Sequence, residues 1–546
     1  MNRKLVLLMA LILLTGVLGV AFKVQKAEAN GMVYIDEDGT VYPSTAPILR
    51  DKDLYTLTDN IITIDVEGVS GIVVKRNNMT LDGAGYILQG RDSWLSNGIY
   101  LSGRSNITIR NIQIQDFNYG ILLEHSSNNS IVANNITKNY YGILLAESSK
   151  NALRSNRMTD NEYNFGIWSS DLSNFINDID TSNTVNGKPV YYWINRKDLV
   201  VPLDAGYAAF VNCTGITVQN LNLTDNSEGI LLVFTRNSTI TGNSITNNLH
   251  GITLFQSLNN NVYENNVIAN RWDGISLAFS SNNTLSRNNI TEKTWASFGI
   301  YFFNSSSNTI SGNNITKNEN GIRLRNSSNN DVSGNNITAN GWDGIGFYYS
   351  LNNSVFENKI ANNNYGVGLS YSSDSKFYHN NFIDNNLQVR IYTPNYSNFW
   401  DDSYPSGGNY WSDHIGEDLH SGQCQNETYY DWIGDNAYVI DESNQDNYPL
   451  MVPYNTEEQE AQVAYRNLLG KYNELLSDYG ELLRNLSNLQ SSYDQLNASY
   501  SKLQSEQEKV INELGTFRNL TYIFVGTIIV LIVTTVYFSK RKSKKS

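Results

Sequence analysis

Between Gly98 and about Asn386 the chain repeats one unit of about 22 residues, and that period restricts its fold more than any other feature. A complete unit reads GIYFFNSSSNTISGNNITKNEN, Gly299 to Asn320, and the next begins at Gly321. The opening glycines are Gly98, Gly120, Gly142, Gly166, Gly206, Gly229, Gly251, Gly274, Gly299, Gly321, Gly344 and Gly366. Their steps are 22 to 25 residues, except for one of 40 after Gly166. A fixed period of this size signals a solenoid. Inside the unit, three short runs alternate apolar with polar residues, as at Ile300/Phe302, Ile310 and Ile315; period two belongs to a half-buried strand, not a helix. Asn, Ser and Gly clusters between the runs tolerate tight corners. Three strands and three corners predict one coil of an all-β, right-handed parallel β-helix. Inward asparagines such as Asn313, Asn335 and Asn358 are expected to stack as a ladder, each amide satisfying its neighbour. A leucine-rich repeat would need helix formers on its convex side, and Asn/Ser spacers are poor ones.

Around the repeat, other segments are distinct. Residues 1–29 read as a secretory signal, with Arg3 and Lys4, an apolar run and an Ala27-Glu28-Ala29 cleavage site. Residues 30–97 are expected to form an N-terminal cap and first coils, because the first coil of a solenoid has no neighbour. Regular coils span 98–387, with an insertion at 177–205 expected to bulge from one face, where solenoids often bind. Residues 388–454, rich in aromatics, Gly and Asp, read as a C-terminal cap. From Tyr465 to Phe517 a heptad sets Tyr472, Tyr479, Leu486, Tyr493 and Tyr500 against Leu475, Leu482, Leu489, Leu496 and Leu503, the a and d pattern of a self-associating coiled-coil stalk over 455–520. Residues 521–539 are apolar enough for one transmembrane helix, and the basic tail 540–546 predicts a cytoplasmic C-terminus with everything before the span outside.

The net charge of -14 and the lack of a basic stripe argue against nucleic acid as a partner. Two cysteines, Cys213 and Cys424, make no disulfide framework and read as two thiols, with a single bridge between them left open. About nineteen N-x-S/T sequons suit an exported glycoprotein, although the repeat's own NNIT generates many of them.

The phrases NGKPVYYW (Asn186 to Trp193), GGNYWSD (Gly407 to Asp413) and DNYPLM (Asp446 to Met451), together with the coils, resemble the NosD-type β-helix family. That family falls within a broader group of carbohydrate-binding proteins and sugar hydrolases. The likeness covers about Gly31 to Tyr454; the stalk and anchor lie outside it and resemble the layout of archaeal surface proteins. The resemblance implies copper handling in the maturation of nitrous oxide reductase, a role that fold likeness alone does not transfer.

Copper needs clustered His, Met or Cys, and the one local group is His414, His420 and Cys424, with Asp413, Glu417 and Asp418 among them. Its spacing matches no known pattern. Ca2+ suits the Asp-rich cap better, since hard cations want carboxylate oxygens. For catalysis, the residue before each glycine puts Glu228, His250 and Asp273 on consecutive coils, with Asp343 farther along. Strands about 4.8 Å apart would separate Glu228 from Asp273 by roughly 10 Å, near the spacing of an inverting glycosidase. The same column also accepts Asn, Tyr, Phe and Ala. For sugar stacking, Trp168, Phe255, Trp272, Tyr301, Phe303, Trp342, Tyr348 and Tyr371 are outward aromatic candidates, which an insertion or a partner could equally cover. The expected protein is a membrane-anchored cell-surface module that binds a polysaccharide or envelope glycan. A polysaccharide hydrolase or lyase, and a metal-handling accessory protein, are the alternatives.

Overall fold

The computed structural model describes residues 32–64, 68–91, 93–291 and 297–542. The expected signal at 1–29 and the last residues of the basic tail lie outside these. The chain divides into a β unit ending at Tyr454 and a helical unit starting at Asn455.

The β unit is a parallel β-helix whose coils stack strand on strand in register, for example Ile300 on Ile322 and Ile315 on Ile337. Most of the coil glycines sit second in a six-residue strand, as in Asn97–Ser102, His250–Phe255 and Asn320–Arg325. The reason is steric: a Cβ on Gly321 would stand 2.5 Å from the carbonyl oxygen of Gly344, one coil on. The asparagine ladder is present. Asn313 donates from its backbone N–H (2.9 Å) and its side-chain amide (2.9 Å) to Asn335 Oδ1, and the same amide reaches back to Leu285 O at 2.9 Å. One side chain thus ties three coils together, with its buried donors and acceptor satisfied.

Two of the twelve glycines are out of place. Tyr141 faces Tyr163 and Leu144 faces Gly166, so Asn164 rather than Gly166 stands level with Gly142. Ala208 pairs with Ile230, so Tyr207 rather than Gly206 stands level with Gly229. Both shifts flank the insertion, which does not bulge as expected. Asn186 (φ 48°) and Gly187 (φ 81°) make the two-residue turn of a hairpin, Thr184–Val185 with Lys188–Ile194. The second arm then pairs in parallel with Tyr207–Val211. One sixteen-stranded sheet results; it serves as the third sheet of the first stack of coils and as the first sheet of the second stack.

There are accordingly two hydrophobic cores. Ala208, Phe210, Ile230 and Leu232 point into the second, while Tyr207, Ala209, Val211, Leu231 and Val233 on the other side of the same strands belong to the first. The start of the second stack is therefore covered on both faces. At the N-terminal edge, Val33–Ile35 with Val41–Tyr42 and Ile48–Asp51 with Leu54–Leu57 form antiparallel hairpins. At the other end, Trp400 and Trp411 are fully buried, stacked on Phe377 and Phe382 at 4.3 Å each.

The helical unit is one continuous helix, Thr456–Lys542, with no break between the expected stalk and span. It contains a stretch long and apolar enough to cross a membrane. In this single chain the heptad residues Leu475, Leu482, Leu489, Tyr493 and Leu496 are exposed.

Candidate functional site

The coil geometry sends three residues of each six-residue strand outward: the first, fourth and sixth. The glycine bend turns positions two and three inward together, and ordinary alternation follows. On the first sheet of the second stack these columns bring together side chains far apart in sequence. Tyr301 lies beside Arg323, and Phe303 beside Arg325, which lies beside Tyr348. They form a groove of about 600 Å³, lined by Trp272, Asp273, Phe298, Tyr301, Arg323, Arg325, Tyr348 and Tyr349.

Arginines and rings interleave across this face. The Arg323 guanidinium lies 5.3 Å from the Phe298 ring centre and 4.0 Å from that of Tyr348; Arg325 lies 5.8 Å from Phe303. Beyond the groove, Arg390 lies 4.6 Å and 5.0 Å from Tyr365 and Tyr392. Beneath them Asp343 is fully buried and accepts from the Tyr348 hydroxyl at 3.0 Å and the Tyr392 hydroxyl at 3.2 Å. Tyr392 in turn accepts from the Trp342 indole N–H at 2.9 Å. Burial raises the Asp343 carboxyl to about 6, with the two hydroxyls and Arg323 and Arg390 opposing. Its space exists because the neighbouring positions are glycine: a Cβ on Gly346 or Gly368 would come within 2.8 Å or 2.5 Å of its carboxylate.

Glu228, His250 and Asp273 do fall on consecutive strands, with Glu228 facing His250. They do not form an open pair of carboxyls with water between. His250 occupies the strand between them and its Nδ1 is 3.1 Å from Asp273 Oδ2. Glu228 is buried where the two stacks meet and accepts from Ser227 Oγ (3.0 Å) and Tyr207 (3.3 Å). Burial raises its carboxyl to about 7. Burial lowers the His250 pKa, but the Asp273 and Glu228 carboxylates prevail and raise it overall.

The eight aromatic candidates separate. Trp272, Tyr301 and Tyr348 line the groove. Phe303, Trp342 and Tyr371 touch its lining or support, through Arg325, Tyr392 and Tyr349, the last stacked on Tyr371 at 4.7 Å. Trp168 belongs to a different sheet, and Phe255 packs against the first core with Phe175 at 6.0 Å. Phe298, Arg323 and Arg325 were not among the candidates. Adding one period to Tyr301 and Phe303 gives Arg323 and Arg325, so the columns contained the signal for residues other than aromatics.

The metal candidates are not brought together. Among the described residues no group of three or more His, Cys, Asp or Glu stands where it could hold a metal ion. His420 Nδ1 is engaged by Asp435 Oδ2 at 2.8 Å, Cys424 is exposed, and Cys213 is a separate buried thiol. His414 is half-buried, with a buried Nε2 lacking a hydrogen-bond partner; this nitrogen and Met451 Sδ lie 3.1 Å and 3.2 Å from where a Cβ on Gly434 would sit.

The two distinctive phrases of the cap meet at one carboxylate. Fully buried Asp446 accepts from the backbone N–H of Asn409 (2.7 Å) and of Tyr448 (3.0 Å) and from the Trp411 indole (2.8 Å). Asn409 closes the asparagine ladder by accepting from Asn380 at 2.9 Å. GGNYWSD and DNYPLM thus have a structural explanation.

The family described as periplasmic copper-binding protein (NosD) matches residues 23–198, 201–319 and 295–416. No curated protein matches the chain. Among solved structures, the periplasmic alginate epimerase AlgG is 13% identical, covering 64% of this chain and 80% of its own, with a TM-score of 0.26. The AlgE6 A-module of Azotobacter vinelandii, a mannuronan C-5 epimerase, is 13% identical, with 64% and 89% covered and a TM-score of 0.23. The Dettilon tailspike protein is 15% identical, with 62% and 61% covered and a TM-score of 0.24. Scores this low say nothing about function.

Proposed function

Given that the chain belongs to the NosD family of β-helix proteins, we propose that its β unit binds a glycan in the groove on the outer face of the second stack. One observation carries this reading: Trp272, Phe298, Tyr301 and Tyr348 line a single open groove together with charged side chains. Aromatic faces stack on the apolar faces of sugar rings, while guanidinium and carboxylate groups hydrogen-bond to hydroxyls. The reading is of a binding module, since the groove's carboxylate, Asp273, is engaged by His250 and not paired with a second open carboxyl.

The layout that goes with this function is an exported head, a self-associating coiled-coil stalk and a single membrane span with a cytoplasmic tail. The exposed heptad residues and the apolar stretch support it. Copper handling, which the family's description suggests, does not fit these residues. His420 is committed to Asp435, and one imidazole nitrogen beside one thioether falls short of a copper cluster.

The test is a glycan array probed with the full chain in detergent micelles, with mass spectrometry of any bound polysaccharide. Binding that Trp272→Ala weakens, without product release, supports the reading. Binding indifferent to Trp272→Ala moves the site elsewhere, and cleavage makes the protein an enzyme.

A further inference from the structure

We infer that the groove selects acidic glycans, sugars carrying a carboxylate, over neutral ones; this deepens the glycan reading above and rests on it. The observation is how the arginines of this face are used. Elsewhere on the β unit, Arg76, Arg110, Arg154 and Arg287 each pair with an Asp or Glu, Arg104 stands 3.8 Å from Glu37, and Arg50 and Arg271 lie singly over Tyr55 and Tyr140. Arg323, Arg325 and Arg390 form no such pair among the described residues. They lie over aromatic rings instead, at 4.0 to 5.8 Å.

A guanidinium that packs its face on a ring is held in place while its in-plane N–H donors point outward, and their fork matches a carboxylate; Arg390 gives one of its donors to the Tyr365 hydroxyl. Arg323 and Arg390 share one outward column, with only Gly346 and Gly368 between them on the intervening strands. The space over the two glycines holds the buried Asp343 carboxylate, which offsets part of the charge of both arginines. Arg325 stands beside Arg323 in the next column of the same strand. The one acid lining the groove, Asp273, is engaged by His250 at 3.1 Å. In a chain of net charge -14, three guanidiniums without an ion pair among the described residues stand together where the sugar rings would lie, against the one buried carboxylate of Asp343.

The test uses the full chain in detergent micelles, titrated calorimetrically with polygalacturonate, dextran sulfate and dextran at low and physiological salt. Polygalacturonate is expected to bind about tenfold or more tighter than dextran. Arg323→Gln with Arg325→Gln lowers polygalacturonate affinity to the level of dextran, a far larger loss than dextran itself suffers, with the fold intact by circular dichroism. Arg323→Lys, which keeps the charge and loses the fork, gives an intermediate loss. Equal affinity for dextran and polygalacturonate overturns the inference, as does a double variant that still prefers polygalacturonate. Tighter binding of dextran sulfate than of polygalacturonate overturns the carboxylate assignment. If none of the three polymers binds, the glycan reading itself fails.

Discussion

Two carboxylates in this molecule are equally inaccessible, and their surroundings differ in kind. Asp446, at the closed end of the second stack, is held by two backbone N–H groups and a buried indole. Asp343, under the outer face, is held by the hydroxyls of Tyr348 and Tyr392, whose rings carry Arg323 and Arg390. Burial alone does not separate a structural acid from one that organises a surface. The donors do. Backbone donors fix the path of the chain, whereas side-chain donors transmit the acid's position to groups that face solvent.

The largest expected effect lies at the closed end. Asp446→Ala strands three buried donors and should lower stability by about 3 kcal/mol or more, read from denaturant melts of the full chain. A variant that melts like the wild type would remove the contrast between the two acids. The asparagine ladder comes next. Asn335→Ala removes donors and an acceptor linking three coils and should cost about 2 kcal/mol.

Asp343 sharpens the comparison through pH. Its folded pKa is raised, from 3.8 to about 6, so the fold favours the neutral acid. The stability this contributes is complete below pH 3.8 and is lost as pH rises through about 6. Glu228 and Asp446, both raised to about 7, act in the same direction. The protein should therefore melt lower at about pH 8 than at about pH 5, and Asp343→Asn should flatten this dependence by about 2 kcal/mol. A pH profile steeper in the variant would contradict the assignment. The smallest contrast lies among the aromatics. Trp272→Ala should weaken glycan binding about tenfold, while Trp168→Ala, on another sheet, should leave it unchanged in the same titration.

The repeat makes most of the coils readable in the sequence. Gly321 recurs because its inner face has no room for a Cβ, and Asn335 recurs because a buried amide must find the same partner on each side. Both are local demands that every coil repeats, so they leave a period. The hairpin at Asn186 and Gly187 left a turn signal, but the period could not tell that it moves a strand into another stack. That outcome depends on Val190 finding Tyr207, a pairing between segments that share no repeat. Glu228 and Phe255 were readable as outward residues; only the docking of the first core on the same strands buries Glu228 and packs Phe255.

Sequence by itself therefore determined the coil, its inward ladder and the helix after residue 455, because each follows from contacts at fixed spacing. Tertiary structure alone decided where one stack ends on another, which carboxylates are buried, and that Arg323 and Arg325 rest on rings rather than on acids. Those depend on neighbours brought together by register and by the meeting of two cores, and no single period encodes either.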